Sequence, residues 1–363
     1  MKILIITNKV GDKSGWGRYS IDVISNLIRE GNEVVVICNA RNDDLKNIIQ
    51  LDVLPAPLMF KRNFFLSIFY AFRVKNRAKD IDIIHCFVEP YVFIAFVLAK
   101  MSRVSYFITI HGSYGIKCFY NRFYKFLQIT AYKSAKKIFC VSNYTKNRIL
   151  EYVDLNNLIV IPNGVNLNKF FSKSKKVKKE DIVLGVGALK RRKGYHVSLR
   201  ALREVKKLIP YIKYYIVGDR SDKKYYNFLN NIIIDLNLED NVVFLENIND
   251  RELIDLYKKS KVFILTPLSS QYNFEGFGLV YLEANSFGIP VIGSYGNGGE
   301  DAIRNNYNGL LTEPDNYKDI ANKLTTLMIN EELHKKISNN SLMTVNDFSW
   351  NNIIKKYIKA YKN

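Results

Sequence analysis

Glu275 and Glu283 stand eight residues apart on either side of a Gly-Phe-Gly turn, inside the run 273–299 (NFEGFGLVYLEANSFGIPVIGSYGNGG). A separation of seven or eight returns to nearly the same helical face. The Gly-x-Gly, however, assigns Glu275 to a loop and starts a helix just after it. The amides of Phe277, Gly278 and Leu279 then become free donors at a helix N-terminus, aimed at whatever Glu275 touches. A diphosphate on those amides and sugar hydroxyls on the two carboxylates is the chemistry this spacing suits. Two unrelated surface glutamates is the plainer alternative.

A second cluster lies upstream. The loop 187–194 (GALKRRKG) places Lys190, Arg191, Arg192 and Lys193 between two glycines directly after an apolar run. Four adjacent cations in a tight turn repel one another unless solvent or an anion separates them. Arg can grip a phosphate bidentately and Lys supplies a mobile point charge. An exposed basic turn with no ligand is the competing reading. His111 follows a strand pattern and precedes Gly112, a position from which a side chain can point beyond the end of a sheet. His85, at another strand end, stands equal to it, and each is as readily a structural residue as a site residue. Gly15 and Gly17, in a loop before a helix, would let a backbone approach an anion closely, although many strand-to-helix turns carry glycine for geometry alone.

The elements that must position these residues follow from the hydrophobic pattern. Residues 2–7 (KILIIT) read as a strand buried on both faces, followed by the glycine loop 11–17. A helix then carries Ile21, Val23, Ile24, Leu27 and Ile28, and 33–38 (EVVVIC) is the next strand, completing a βαβ unit. Further strands are predicted at 81–85, 106–111 and 138–141. The pattern breaks at the Pro-Asn-Gly turn of 161–171, and the Lys-rich stretch 172–179 (SKSKKVKK) reads as a solvated linker. The alternation restarts with strands at 182–186, 214–217, 242–245, 262–265, 290–293 and 309–312. The expected architecture is α/β, with two doubly wound Rossmann-like domains, residues 1–170 and 171–347, facing across a cleft. In such sheets ligands collect beyond the carboxyl ends of the strands.

Composition bounds the partners. The 363 residues are 48% apolar and 24% charged, which suits packed cores and excludes a disordered or fibrous chain. Fifty-four Lys and Arg against thirty-four Asp and Glu leave a net charge of +20, which favours an anionic partner. No apolar run reaches the ~18 residues that span a bilayer. No secretory signal is predicted, so the expected location is cytoplasmic. The cysteines at 38, 86, 118 and 140 form no CxxC pair and suggest neither a disulfide framework nor a zinc site.

The charge is unevenly spread. Between Glu89 and Glu151 there is no acidic residue and there are ten basic ones. Phe64, Phe65, Ile68, Phe69 and Phe72 fall on one helical face, bracketed by Lys61, Arg62, Arg73, Lys75 and Arg77. Phe119, Tyr120, Phe123, Tyr124 and Phe126 interleave with Lys117, Arg122 and Lys125. Amphipathic aromatic and basic segments suit a membrane interface. A helix packing its aromatic face on the sheet explains the first segment equally well. For the second, Arg122, Phe123, Tyr124 and Lys125 are the expected acceptor or membrane surface, on the inner face of the cell membrane.

Taken in order, these pieces resemble the retaining GT-B glycosyltransferases of family 4 (group 1), nearly end to end. The matching segments are the Gly15–Gly17 loop, His111-Gly112, 141–146 (VSNYTK), 161–165 (IPNGV), and the basic loop ending at Lys193-Gly194. They continue with 217–219 (VGD), 252–257 (ELIDLY), the Glu275/Glu283 pair and 348–361 (FSWNNIIKKYIKAY). The resemblance implies that the final helix, 348–363, crosses back onto the N-terminal domain. It also implies a role for each matching residue. Lys193 neutralises the donor diphosphate, Glu275 contacts the transferred sugar, and Phe277, Gly278 and Leu279 offer backbone contacts. Glu283 holds the ribose hydroxyls, Ile248 meets the nucleotide base, His111 faces the reacting sugar, and Gly15 approaches the donor phosphates. Gly17 and Gly218 belong to the donor-side loops. The family's Arg after the first glycine of the basic loop is here Ala188, which leaves Arg191 or Arg192 to supply that cation.

Breaking a glycosyl–phosphate bond builds negative charge on the departing nucleoside diphosphate, and fixed cations are the means of stabilising it. Such cations can replace a metal, so neither a metal nor a cofactor is expected. The only Asp-x-Asp, Asp80 and Asp82, is read as the solvated start of a strand. The expected substrates are a UDP- or GDP-linked sugar and a glycan or lipid-linked acceptor of cell-surface polysaccharide, lipopolysaccharide or glycolipid synthesis, with retention of configuration. Rival readings are a sugar-nucleotide epimerase or glycoside phosphorylase of the same architecture. A basic nucleic-acid-binding protein is the non-enzymatic rival, but it leaves the glutamate pair unexplained and no nucleic acid is expected.

Overall fold

The computed structural model describes residues 1–11, 14–40, 49–57, 64–78, 80–120, 122–167 and 178–363, with the side chains of residues 64, 65, 77, 78 and 123 left out of the description. It divides into two compact units, Met1–Asn163 with Trp350–Asn363, and Gly164–Ser349. Each is a parallel sheet covered by helices.

In the first unit the strands are β1 (Lys2–Ile6), β2 (Glu33–Cys38), β3 (Ile49–Asp52), β4 (Ile83–Cys86), β5 (Ser105–Ile110), β6 (Lys137–Cys140) and β7 (Leu158–Val160). Their order is β3-β2-β1-β4-β5-β6-β7. Sheet growth reverses at β1, so the switch point lies between β1 and β4, where a doubly wound sheet opens a crevice at its carboxyl edge. The central strands are apolar on both faces, as a sheet covered by helices on both sides requires. The two strands not expected from the sequence, β3 and β7, are three- or four-residue edge strands. Asp80 and Asp82 are exposed and precede β4 at the amino edge, where Asp82 accepts the backbone N–H of Lys2 at 2.7 Å.

The final helix, Trp350–Lys362, packs in the first unit against the helix Gly15–Arg29. A buried polar chain joins it to the sheet. Tyr361 Oη lies 2.6 Å from His85 Nδ1, and His85 Nε2 lies 2.9 Å from Thr109 Oγ1. Thr109 meets Tyr19 Oη at 2.9 Å, and Tyr19 meets Tyr357 Oη at 2.8 Å. His85 is fully buried and spent on this network, so it is a structural residue.

The second unit has β8 (Glu180–Val186), β9 (Lys213–Val217), β10 (Val242–Leu245), β11 (Ser260–Ile264), β12 (Val291–Ser294) and β13 (Gly309–Thr312), ordered β10-β9-β8-β11-β12-β13. Its switch point lies between β8 and β11. Residues 172–177 of the expected solvated linker lie outside the described residues. Lys179, placed in that linker, is instead half-buried, with Nζ donating to the carbonyls of Tyr257 (3.2 Å) and Phe287 (3.5 Å). Burial pulls its ammonium down to about 8.

Candidate active site

The two loops that flank the second unit's switch point carry the predicted cations and the first glutamate. After β8 the chain passes Gly187, forms the short turn Arg191–Lys193, and enters the helix Tyr195–Lys206. After β11 it runs to Glu275. The Leu268 N–H donates to the Arg192 carbonyl at 2.8 Å, which ties the loops together. The loop after β12 closes from the other side, where the Gly298 N–H donates to the Glu275 carbonyl at 2.8 Å. Gly218, after β9, is sterically required, because a Cβ there would lie 2.0 Å from the Gly187 carbonyl oxygen.

This frame sets Lys193 Nζ and Arg192 Nη1 each 2.7 Å from the same oxygen, Glu275 Oε2. The Lys193 and Glu275 side chains are only 10% and 14% exposed, so little water screens the pair. Burial alone pushes the Glu275 carboxyl upward, but Lys193 and Arg192 outweigh it and hold it at about 2. Burial lowers the Lys193 ammonium, with Glu275 opposing. Arg191 turns away, its guanidinium 5.4 Å from the ring centre of Phe228. Of the two arginines that could stand in for the one missing at Ala188, the structure brings Arg192 to the glutamate.

Gly278, at φ +77°, makes the left-handed turn into the helix Leu279–Asn285. Among the described residues the amides of Phe277, Gly278 and Leu279 donate no hydrogen bond. The Phe277 ring is buried, 5.9 Å from that of Phe348, so only its backbone is available. Glu283 is buried on that helix and accepts from Tyr257 Oη at 3.1 Å. Tyr257 falls within the segment 252–257, but nothing local in the sequence marks it as the partner of a residue 26 positions away. Ile248 is half-buried between β10 and the helix Asp250–Lys259, and its N–H and C=O make no hydrogen bond among the described residues.

His111 and the first glycine loop belong to the other unit. Gly17 is packed, since a Cβ there would lie 2.3 Å from the Gly11 carbonyl oxygen, whereas a Cβ on Gly15 would meet nothing within 4 Å. The fold therefore needs a glycine at 17 and not at 15. His111 follows β5 with Nε2 2.8 Å from the Phe87 carbonyl and its ring edge-on to Tyr19 at 4.4 Å. A carbonyl only accepts, so Nε2 carries the proton, and burial drops this imidazole to about 4. At neutral pH the ring is thus uncharged, and Nδ1 is an acceptor with no partner among the described residues.

The expected acceptor surface is divided. Arg122 and Lys125 are exposed, Tyr124 is half-buried, and the Phe123 side chain lies outside the described residues. Phe119 is core, stacked on Tyr152 at 5.2 Å, whereas Phe126 is 70% exposed. On the helix Phe64–Val74 the buried positions among the described side chains are Ser67, Ala71 and Val74. Phe69 and Phe72 are 58% and 61% exposed, so the face that carries them is turned to solvent, and the helix packs against the helix Val92–Ser102 rather than laying its aromatic face on the sheet. Among the described residues no helix is long and apolar enough to cross a membrane, and no group of three or more His, Cys, Asp or Glu could hold a metal.

Comparison with known proteins places this geometry. Residues 167–342 match the glycosyl transferases group 1 family, and residues 13–169 match glycosyltransferase family 4. An uncharacterized glycosyltransferase of Methanocaldococcus jannaschii is 29% identical over 292 residues, covering 78% of this chain and 76% of its own. The UDP-Gal:alpha-D-GlcNAc-diphosphoundecaprenol alpha-1,3-galactosyltransferase of Escherichia coli is 32% identical over 253 residues, 65% of this chain and 62% of that one. The structure of Anabaena HepE in complex with UDP and glucose superposes with a TM-score of 0.81 at 19% identity, covering 100% of this chain and 99% of that one. With both halves matched and the two Rossmann-like sheets in place, the chain belongs to the group 1, family 4 glycosyltransferases and has the GT-B fold.

Proposed function

We propose that this glycosyltransferase moves a hexose from a nucleotide-sugar, with retention, to a glycan or lipid-linked acceptor in cell-surface polysaccharide, lipopolysaccharide or glycolipid synthesis. The observation that carries the reading is the Lys193–Glu275–Arg192 cluster at the switch point of the second sheet. The donor diphosphate takes Lys193 and Arg192 as counter-charges, with the free amides of Phe277, Gly278 and Leu279 as further donors. Glu275 is then released to the sugar hydroxyls. Glu283, fixed by Tyr257, takes the ribose, and the unpaired backbone of Ile248 takes the base. From the first unit, His111 offers the sugar an acceptor nitrogen and Gly15 leaves room for a phosphate.

In the reaction the bond from the anomeric carbon to the phosphate oxygen breaks, and the acceptor oxygen attacks from the same face. The acceptor's proton passes to the departing diphosphate, whose charge stays on Lys193 and Arg192. Those fixed cations do the work of a metal, so turnover persists in EDTA. A UDP-sugar is favoured by the relatives, one named for UDP-galactose and one crystallised with UDP and glucose. Exposed Phe69, Phe72 and Phe126 with Arg122 and Lys125 support work at the inner, anionic face of a membrane, where a lipid-linked acceptor would lie.

A thermal-shift screen of UDP-, GDP- and ADP-sugars tests the donor site, with Glu283→Ala as control. One nucleotide class should stabilise the wild-type protein and lose most of that effect in the variant. Equal stabilisation of both proteins sinks the ribose assignment. Conversion of the donor to an epimer with no acceptor present would put an epimerase in place of the transferase.

A further inference from the structure

We propose that Glu89 is the positioning residue of His111: its buried carboxylate grips the backbone amide of His111 and fixes how the imidazole is presented to the sugar. The proposal rests on the sugar-facing role given to His111 above. Glu89 lies three residues beyond β4, and His111 directly beyond β5, so both loops emerge from the carboxyl edge of adjacent strands beside the first sheet's switch point. The His111 N–H donates to Glu89 Oε1 at 2.7 Å. The Gly112 N–H and the residue's own backbone N–H also favour its charged form. Glu89 thereby holds the peptide of His111, while the Phe87 carbonyl and the Tyr19 ring hold its imidazole.

The fold alone gives no reason for a carboxylate here. Glu89 is 5% exposed, forms no ion pair among the described residues, and leaves Oε2 buried without a hydrogen bond. A glutamine of the same shape would spare the fold a buried charge, but its neutral oxygen would hold the His111 amide by a longer and weaker bond than a carboxylate does. Burial lifts the carboxyl to about 7, against the pull of the three amides. The titratable groups around it are Cys86, His111, Cys118, Tyr132 and Cys140, from five different segments. Burial pushes the three thiols and the phenol up and His111 down to about 4. Within this cluster, then, Glu89 alone changes charge near neutrality. Its folded value lies above its ordinary 4.5, so the folded state holds the proton more tightly. Folding stability is therefore lost as pH rises from 4.5 through about 7. A buried carboxylate that weakens the fold at working pH and touches the backbone of His111 fits a residue kept for the site.

The four histidines make the test direct, because selective 15N-histidine labelling yields four backbone amides. In the wild-type protein the His111 amide should shift with a midpoint near pH 7, and in Glu89→Gln it should not move there. Turnover is read as nucleoside diphosphate released from UDP-galactose, UDP-glucose or GDP-mannose, whichever the wild-type protein uses. Its kcat should rise through the same midpoint with the donor KM steady. Glu89→Gln should lower kcat about ten- to a hundredfold, the scale of a sub-ångström misplacement, and abolish the midpoint. It should melt no lower than wild type at pH 8. A His111 amide that stays flat between pH 6 and 8, or a Gln variant that keeps the midpoint, overturns the proposal. So does a loss of activity matched by a fall in melting temperature, which would assign Glu89 to the fold. Undiminished turnover in His111→Ala refutes the sugar-facing role instead, and it would do so with the Glu89-dependent amide shift still present.

Discussion

Replacing Glu275 by glutamine leaves two cations at one buried point with their shared counter-charge gone. Both Lys193 and Arg192 reach Oε2 at 2.7 Å. Holding the carboxyl at about 2 instead of 4.5 is worth about 3 kcal/mol of folding free energy at neutral pH. Arg192 is a third exposed and water-screened, so Lys193 carries most of that. The sign is that of a depressed carboxyl: the stabilisation is whole above pH 4.5 and is lost as pH falls toward 2. Glu275→Gln should therefore lower the melting temperature of the second unit at pH 7.5 by roughly 5–10 °C. The deficit should hold unchanged down to pH 5. Inorganic pyrophosphate supplies the linked reading. In the wild-type protein it must compete with Glu275 for the cations, and in the variant it finds them unpaired, so it should raise the variant's melting temperature more. Differential scanning fluorimetry across pH 5–8, with and without pyrophosphate, measures both effects. A variant that melts with the wild type, or equal pyrophosphate shifts in the two proteins, would refute the buried charge cluster and with it the proposed seat of the diphosphate.

Gly218→Ala forces a Cβ to within 2.0 Å of the Gly187 oxygen and should cost about 1–3 kcal/mol in urea denaturation. Gly15→Ala meets nothing within 4 Å, so its urea midpoint should stay within about 1 kcal/mol of wild type while donor KM rises severalfold. Tyr361→Phe removes a partner from buried His85 and should destabilise the first unit by about 1–3 kcal/mol, seen as an earlier first transition on melting. Serine at Phe69, Phe72 and Phe126 together should cut sedimentation with anionic liposomes at least fivefold without moving the melting temperature, since all three side chains are exposed.

Local sequence held the strands of both sheet centres, because a strand buried on both faces is apolar throughout and announces itself without its neighbours. It also held the Gly-Phe-Gly turn and the basic loop, whose special backbone and clustered charge are properties of adjacent residues. The edge strands β3 and β7 were not legible, because each is three or four residues long and an edge demands less apolar surface. Sheet order alone brings the loop after β8 against the loop after β11. Only that neighbourhood pairs Lys193 with a residue 82 positions away and selects Arg192 over Arg191. The same holds for Glu89 beneath His111, and for Tyr361 on His85 across 276 positions. On the helix Phe64–Val74, the small side chains of Ser67 and Ala71, with Val74, permit close approach to the body of the unit, which leaves Phe69 and Phe72 outside. Periodicity can name a helix and its faces, but which face is buried depends on the shape of what lies opposite, and that is decided by residues distant in the chain.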